Sequence, residues 1–226
     1  MRIAKEAWPF AGPVGALSAL ALALGHPLVA AALLPVLGFT LWFFRDPERV
    51  APAAADALLS PADGRIIRSG PGSISIFMSL VDVHVCRSPL AGRVASVEHV
   101  PGRFLAAFRD PASEQNERVS IVVDGGPRPV RLALVAGLLA RRIVCKVAPG
   151  QQLQAGERIG LIRFGSRVDL FLPPGARPLV ALGERVVAGR TPVARCAAGP
   201  GAAPRSERED GSEPVPSGSA TRGFPI

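Results

Sequence analysis

The most distinct pattern in the chain is an apolar block without a single Asp, Glu, Lys or Arg, residues 10–44, interrupted by His26-Pro27. Its first arm, 10–25, has 16 residues and its second, 28–44, has 17. A continuous membrane-crossing helix needs about 20 apolar residues, so each arm is short for a full crossing. Pro27, two residues after Gly25, predicts a break between two helices. Arg2 and Lys5 precede the block, and Arg45 and Arg49 follow it. Basic flanks at both ends favour a cytoplasmic position for each, which makes the pair a hairpin, with Trp8 and Trp42 at interfacial depth. The competing reading is a cleaved signal peptide with Arg2 and Lys5 as its basic start. The second apolar arm and its arginine-containing flank argue against it.

Beyond residue 56 the pattern changes to short runs of β character at 73–78, 118–123, 142–147, 158–164 and 168–172. Glycine and proline turns separate them, and no long run keeps helical spacing. The expected fold is mostly β, a barrel- or sandwich-like domain over 45–196, carrying the helical hairpin of 1–44 in front. From 197 to 226, Pro, Gly, Ser and charged residues dominate, which predicts a disordered tail. The hairpin reads as a detachable anchor, so removal of 1–44 is expected to leave a more soluble body.

Composition sharpens this picture in three ways. Hydrophobic residues make up 48% of the chain and mean hydropathy is +0.30, the excess lying in the apolar block. The net charge of +8 resides in the body between Arg45 and Cys196, and only Lys5 and Lys146 among the basic residues are lysines. A basic body behind a hydrophobic hairpin points to an anionic membrane surface. Nucleic acid is the rival partner, but no helix-turn-helix, zinc-finger or RNA-binding signature accompanies the charge, so none is expected. Cys86, Cys145 and Cys196 are too far apart for a C-x-x-C pair, and no metal site is expected.

Four segments carry candidate chemistry. The first is Phe43-Phe44-Arg45-Asp46-Pro47 with Ser60-Pro61-Ala62-Asp63-Gly64. The second runs from Phe77 to Pro89 and contains Asp82-Val83-His84-Val85-Cys86-Arg87. The third is Pro101-Gly102-Arg103-Phe104, continuing to Ala112-Ser113-Glu114-Gln115-Asn116. The fourth begins at Ala136-Gly137, includes Arg141-Arg142 and ends in Arg163-Phe164-Gly165-Ser166-Arg167-Val168-Asp169. Alone, each has an ordinary explanation. Asp63 would cap a turn, His84 would be a satisfied core histidine, Ser166 would begin a strand, and Arg141-Arg142 would be a solvated basic face.

In matching order, from Arg45 to Pro173, the four resemble the short prokaryotic type of phosphatidylserine decarboxylase. The resemblance implies a proenzyme that breaks its own Gly165–Ser166 bond, and the body left after removal of 1–44 is expected still to do so. Ser166 becomes a covalent pyruvoyl cofactor, which accepts the amine of phosphatidylserine as a Schiff base and serves as the electron sink for loss of CO2, leaving phosphatidylethanolamine. It also implies that the chains 1–165 and 166–226 stay associated on the cytoplasmic face of the cell membrane. A homo-oligomer is an open alternative. The matching motifs make Ser166, His84 and Asp63 the catalytic set, with His84 activating the hydroxyl and Asp63 orienting the imidazole. The residue types suit this: serine is a weak nucleophile that needs a base, and glycine before it leaves the carbonyl unshielded. Two departures stand out. The longer bacterial branch has a second histidine where this chain has Arg87, and Cys86 stands where asparagine is expected.

Two alternatives remain open at this point. The same chemistry would serve another serine-headgroup lipid, such as an archaeal-type ether lipid. A membrane-tethered carrier domain is suggested by the V-x-P-G-x-x-L-x-x-G pattern of 147–156, which resembles biotinyl and lipoyl hairpins. A carrier needs a modifiable lysine at its turn, and 149–159 contain none.

Overall fold

The computed structural model describes residues 2–53, 56–105, 115–126, 128–137, 142–163 and 165–196. The expected disordered tail, the Ala112-Ser113-Glu114 stretch, Arg141 and Phe164 lie outside the described residues. In chain order the elements begin with β1 (Arg2–Ile3), helix α1 (Trp8–Ala23), helix α2 (Pro27–Phe43) and β2 (Arg45–Asp46). The body continues with β3 (Ala57–Leu59), β4 (Gly64–Ser69), β5 (Ser73–Met78), β6 (Val85–Arg87), β7 (Gly92–Val100) and β8 (Arg118–Asp124). After these come β9 (Val130–Val135), β10 (Ile143–Cys145), β11 (Gln152–Leu153), β12 (Arg158–Ile162) and β13 (Ser166–Phe171). The last are β14 (Arg177–Pro178), β15 (Arg185–Val186) and β16 (Pro192–Arg195).

The two helices are the expected hairpin. Gly25, at φ +77°, and Pro27 at the start of α2 make the reversal. The arms touch, and the Ser18 hydroxyl donates to the Ala30 carbonyl at 3.1 Å. Leu17, Leu20, Leu24, Leu28, Leu34 and Phe39 remain exposed along them. Among the described residues no helix is long and apolar enough to cross a membrane.

The body is built on an eight-stranded antiparallel sheet in the order β11-β7-β8-β9-β13-β5-β4-β15. Three-stranded sheets β10-β12-β6 and β14-β16-β3 accompany it. Period-two alternation decides which face of the large sheet is apolar. Ile74, Ile76 and Met78 of β5, Leu132 and Leu134 of β9, and Val168 and Leu170 of β13 join one core. Leu58, Cys86, Ile159, Ile162 and Val193 from the smaller sheets fill its other side. This is the sandwich-like form of the expectation. The large sheet does not close into a barrel, because β11 and β15 end it as unpaired edges among the described residues.

Two crossovers between sheets lie side by side and create the site. After Met78 the chain leaves β5 of the large sheet for β6 of a small one. After Ile162 it leaves β12, the neighbour of β6, for β13, the neighbour of β5. Antiparallel pairing places Ser166 opposite Met78 and Val85 opposite Leu161. His84, before β6, and Gly165, before β13, are therefore brought together, although about eighty residues separate them in sequence.

Candidate active site

His84 closes the first crossover. Its carbonyl accepts the Ile162 N–H at 3.2 Å, which fixes the residue against the end of β12. The imidazole Nδ1 lies 3.0 Å from the Asp82 carbonyl, and the Gly165 N–H points at Nε2 from 3.3 Å. Because a carbonyl only accepts, Nδ1 carries the proton and Nε2 presents its lone pair to Gly165. The side chain is fully buried, and burial pushes its pKa down to about 4. The Asp82 carbonyl and the charges of Asp82 and Asp63 oppose that shift, while Arg45 adds to it. At neutral pH the ring is thus an uncharged base, one residue away from the Gly165–Ser166 bond.

The turn beneath it is self-braced. The Asp82 carboxylate accepts from the Ser79 N–H at 2.8 Å and from its hydroxyl at 2.6 Å. That local ring aims the Asp82 carbonyl at Nδ1.

Gly165 occupies the left-handed region at φ +68°, where a side chain is disfavoured. Ser166 is fully buried at the start of β13, on the core face with Val168 and Leu170. Its hydroxyl donates to the Met78 sulfur at 3.2 Å and not to the imidazole. On the opposite face Arg167 is buried as well. Its Nε donates to Asp169 at 2.6 Å and one Nη to the Ser75 hydroxyl at 2.9 Å, tying β13 to β5 just past the serine.

Asp63 sits near the site but does not orient the ring as expected. Arg49 grips its carboxylate with two hydrogen bonds of 2.5 and 2.7 Å, and the Ala188 N–H donates to it at 2.8 Å. The Asp82 carbonyl takes the orienting position instead. Gly64, next along, must be glycine because a Cβ would overlap the Phe77 carbonyl oxygen.

Arg87, where the longer branch is expected to have its second histidine, is buried and engaged elsewhere. It is bound by the Gly156 and Pro47 carbonyls, each at 2.9 Å, and by Asp46 at 3.3 Å. Cys86 belongs to the core, where burial pushes its thiol well up and keeps it protonated.

Three of the site's supports have roles that the sequence pattern does not reveal. Arg49 lies just past the first motif, and Asp82 works through a backbone carbonyl that no side-chain pattern reveals. Phe43 stands inside a motif, yet its apolar surroundings assign it to the anchor. Its ring centroid lies 4.4 Å from that of His84. Asn116, in the third motif, is buried and binds the Leu105 N–H and carbonyl and the Ala136 carbonyl at 2.7–2.8 Å. It thereby ties Leu105 to the end of β9.

The sequence profile of phosphatidylserine decarboxylase matches residues 36–73 and 69–194. A phosphatidylserine decarboxylase proenzyme of Symbiobacterium thermophilum is 48% identical over 206 residues, covering 85% of this chain and 95% of its own length. The proenzyme of Polynucleobacter asymbioticus is 43% identical over 203 residues, covering 85% and 94%. That of Magnetococcus marinus is 44% identical over 207 residues, again covering 85% and 94%. With the profile spanning the whole β body and relatives aligned along nearly their full length, this chain belongs to the phosphatidylserine decarboxylase family.

Proposed function

We propose that the chain is a self-processing precursor that breaks its Gly165–Ser166 bond and then decarboxylates phosphatidylserine to phosphatidylethanolamine. The observation that carries the reading is the Nε2 lone pair of a buried, neutral His84 held 3.3 Å from the N–H of Gly165.

In the first step Nε2 exchanges the Gly165 N–H for the Ser166 hydroxyl and takes its proton. Oγ attacks the Gly165 carbonyl carbon, the C–N bond breaks, and the proton passes to the Ser166 nitrogen, so the amide becomes an ester. Removal of the Ser166 Cα proton then expels the Gly165 carboxylate. Residue 166 is left as dehydroalanine, which takes up water and releases ammonia to become a pyruvoyl group.

The residues fit such a group. Ser166 is enclosed by the core, and open space faces the left-handed Gly165 where a side chain would stand. No lysine competes as an amine carrier, because Lys146 is ion-paired with Glu6 at 3.0 Å and Lys5 precedes the hairpin. The pyruvoyl would supply a ketone for the substrate amine and an electron sink for decarboxylation. His84 Nε2 remains beside it to hold or return a proton. Asp63 acts at a distance, through its charge, and through its bond to the Ala188 N–H of the later chain.

The exposed apolar hairpin and the basic body support docking on the cytoplasmic face of an anionic membrane. Radiolabelled CO2 release from phosphatidylserine vesicles tests the function. The native chain is expected to release it, and Ser166→Ala to release none. His84→Ala should lose about 10²–10⁴ of the processing rate, the usual cost of a positioned base. Activity in the Ser166→Ala chain would refute the reading.

A further inference from the structure

The base of the hairpin belongs to the reacting centre. Phe43, at the last turn of α2, is 1% exposed and shares a core cluster with Phe44, with Val83 and Val85, which flank His84 in sequence, and with Leu161, opposite Val85. Its ring tilts 36° against the imidazole at a centroid distance of 4.4 Å. Phe44 meets Phe43 edge-on at 5.1 Å and stacks on Phe10 of α1 at 5.8 Å. Phe10 in turn carries the Arg163 guanidinium, two residues before Gly165, at 5.2 Å from its ring centre. The hairpin therefore touches both crossovers that make the site. On its outward side Phe43 meets Phe39, 46% exposed, at 6.2 Å.

We propose that Phe43 is a positioning residue for self-cleavage: it covers the His84 imidazole, excludes water from it and keeps Nε2 directed at Gly165, so that maturation requires a docked hairpin. This rests on the self-cleavage reading above.

The charged groups around the ring leave its cover to do the work. Asp82 on the same turn and Asp63 before β4 favour the protonated ring, and Arg45 of β2 opposes it. Burial is nevertheless the largest influence and holds the group near pH 4. Phe43 supplies one wall of that burial. If it is cut back, water reaches the ring and its pKa returns toward the ordinary value of about 6.5. The imidazole then protonates in mildly acid solution and can no longer accept the Ser166 proton.

The test is the pH profile of cleavage in chains made by cell-free synthesis and shifted to pH 5–8, with electrophoresis as the readout. The native chain should cut nearly as fast at pH 5.5 as at 7.5. Phe43→Ala should cut about tenfold more slowly at pH 5.5 than at 7.5, as a pKa near 6.5 requires. Phe43→Leu should have its acid limb displaced in the same direction by less. Phe44→Leu removes packing from the same cluster and should keep the native limb. Phe43→Leu decides the matter if the alanine chain does not fold. Equal limbs in the Phe43→Leu and Phe44→Leu chains, beside a native chain that cuts, would overturn this inference alone. A native chain that cuts at no pH would overturn the self-cleavage reading and this inference with it.

Discussion

A buried imidazole with its pKa near 4 makes this protein sensitive to acid in a defined window. The unfolded chain binds a proton at His84 at about pH 6.5, whereas the folded chain resists it down to about 4. Between those values the unfolded state holds more protons, so stability is complete above pH 6.5 and falls as the pH drops toward 4. A shift of that size corresponds to about 3 kcal/mol. Urea unfolding of the uncut Ser166→Ala chain at pH 7 and pH 4.5 should show most of that loss. The Ser166→Ala/His84→Gln chain should lose about 3 kcal/mol less over the same interval. Equal losses in the two chains would mean that the ring is not held neutral by the fold.

At the scale of elements, the hairpin changes from an anchor into a structural partner. Cutting away residues 1–44 removes β1, which pairs with β2, together with Phe43 and Phe44, both 1% exposed. It also breaks the Glu6–Lys146 and Arg2–Glu48 ion pairs. Such surface pairs contribute little. Loss of two buried phenylalanines costs several kcal/mol, at about 3–5 kcal/mol for each large-to-small change. The expectation of a soluble body is therefore revised: chain 45–226 should aggregate or, where folded, cut far more slowly than the full chain. Sedimentation and a cleavage time course check this, and native-rate cutting by 45–226 would contradict it. The anchor pattern hides this role because an apolar run looks the same whether it faces lipid or packs on the body. Phe43 and Phe44 are as apolar as the exposed Leu17, Leu20 and Phe39, and differ from them in what lies opposite.

For the whole molecule, the β body was legible because the large sheet has one apolar face, and alternation at 73–78, 118–123 and 168–172 reports that face directly. The site was legible in part. Ser166, Gly165 and His84 were marked by motif, and the antiparallel crossovers bring them together. The partner of Asp63 was not, since Arg49 lies fourteen residues away with no spacing rule to connect them. Under the proposed cleavage, the same architecture would set the fate of the two product chains. β13 belongs to the chain that begins at Ser166, yet it is hydrogen-bonded on both sides by β5 and β9 of the preceding chain. β15 and β16 are likewise paired with β4 and β3. The two products should therefore co-elute in native conditions and separate only on denaturation. Intact-mass measurement of the denatured protein tests the central claim most directly. The account predicts chains of residues 1–165 and 166–226, the second with a blocked N-terminus and the mass of a pyruvoyl group in place of serine. A folded, active protein showing the single uncut mass, or a second chain still beginning with serine, would contradict it.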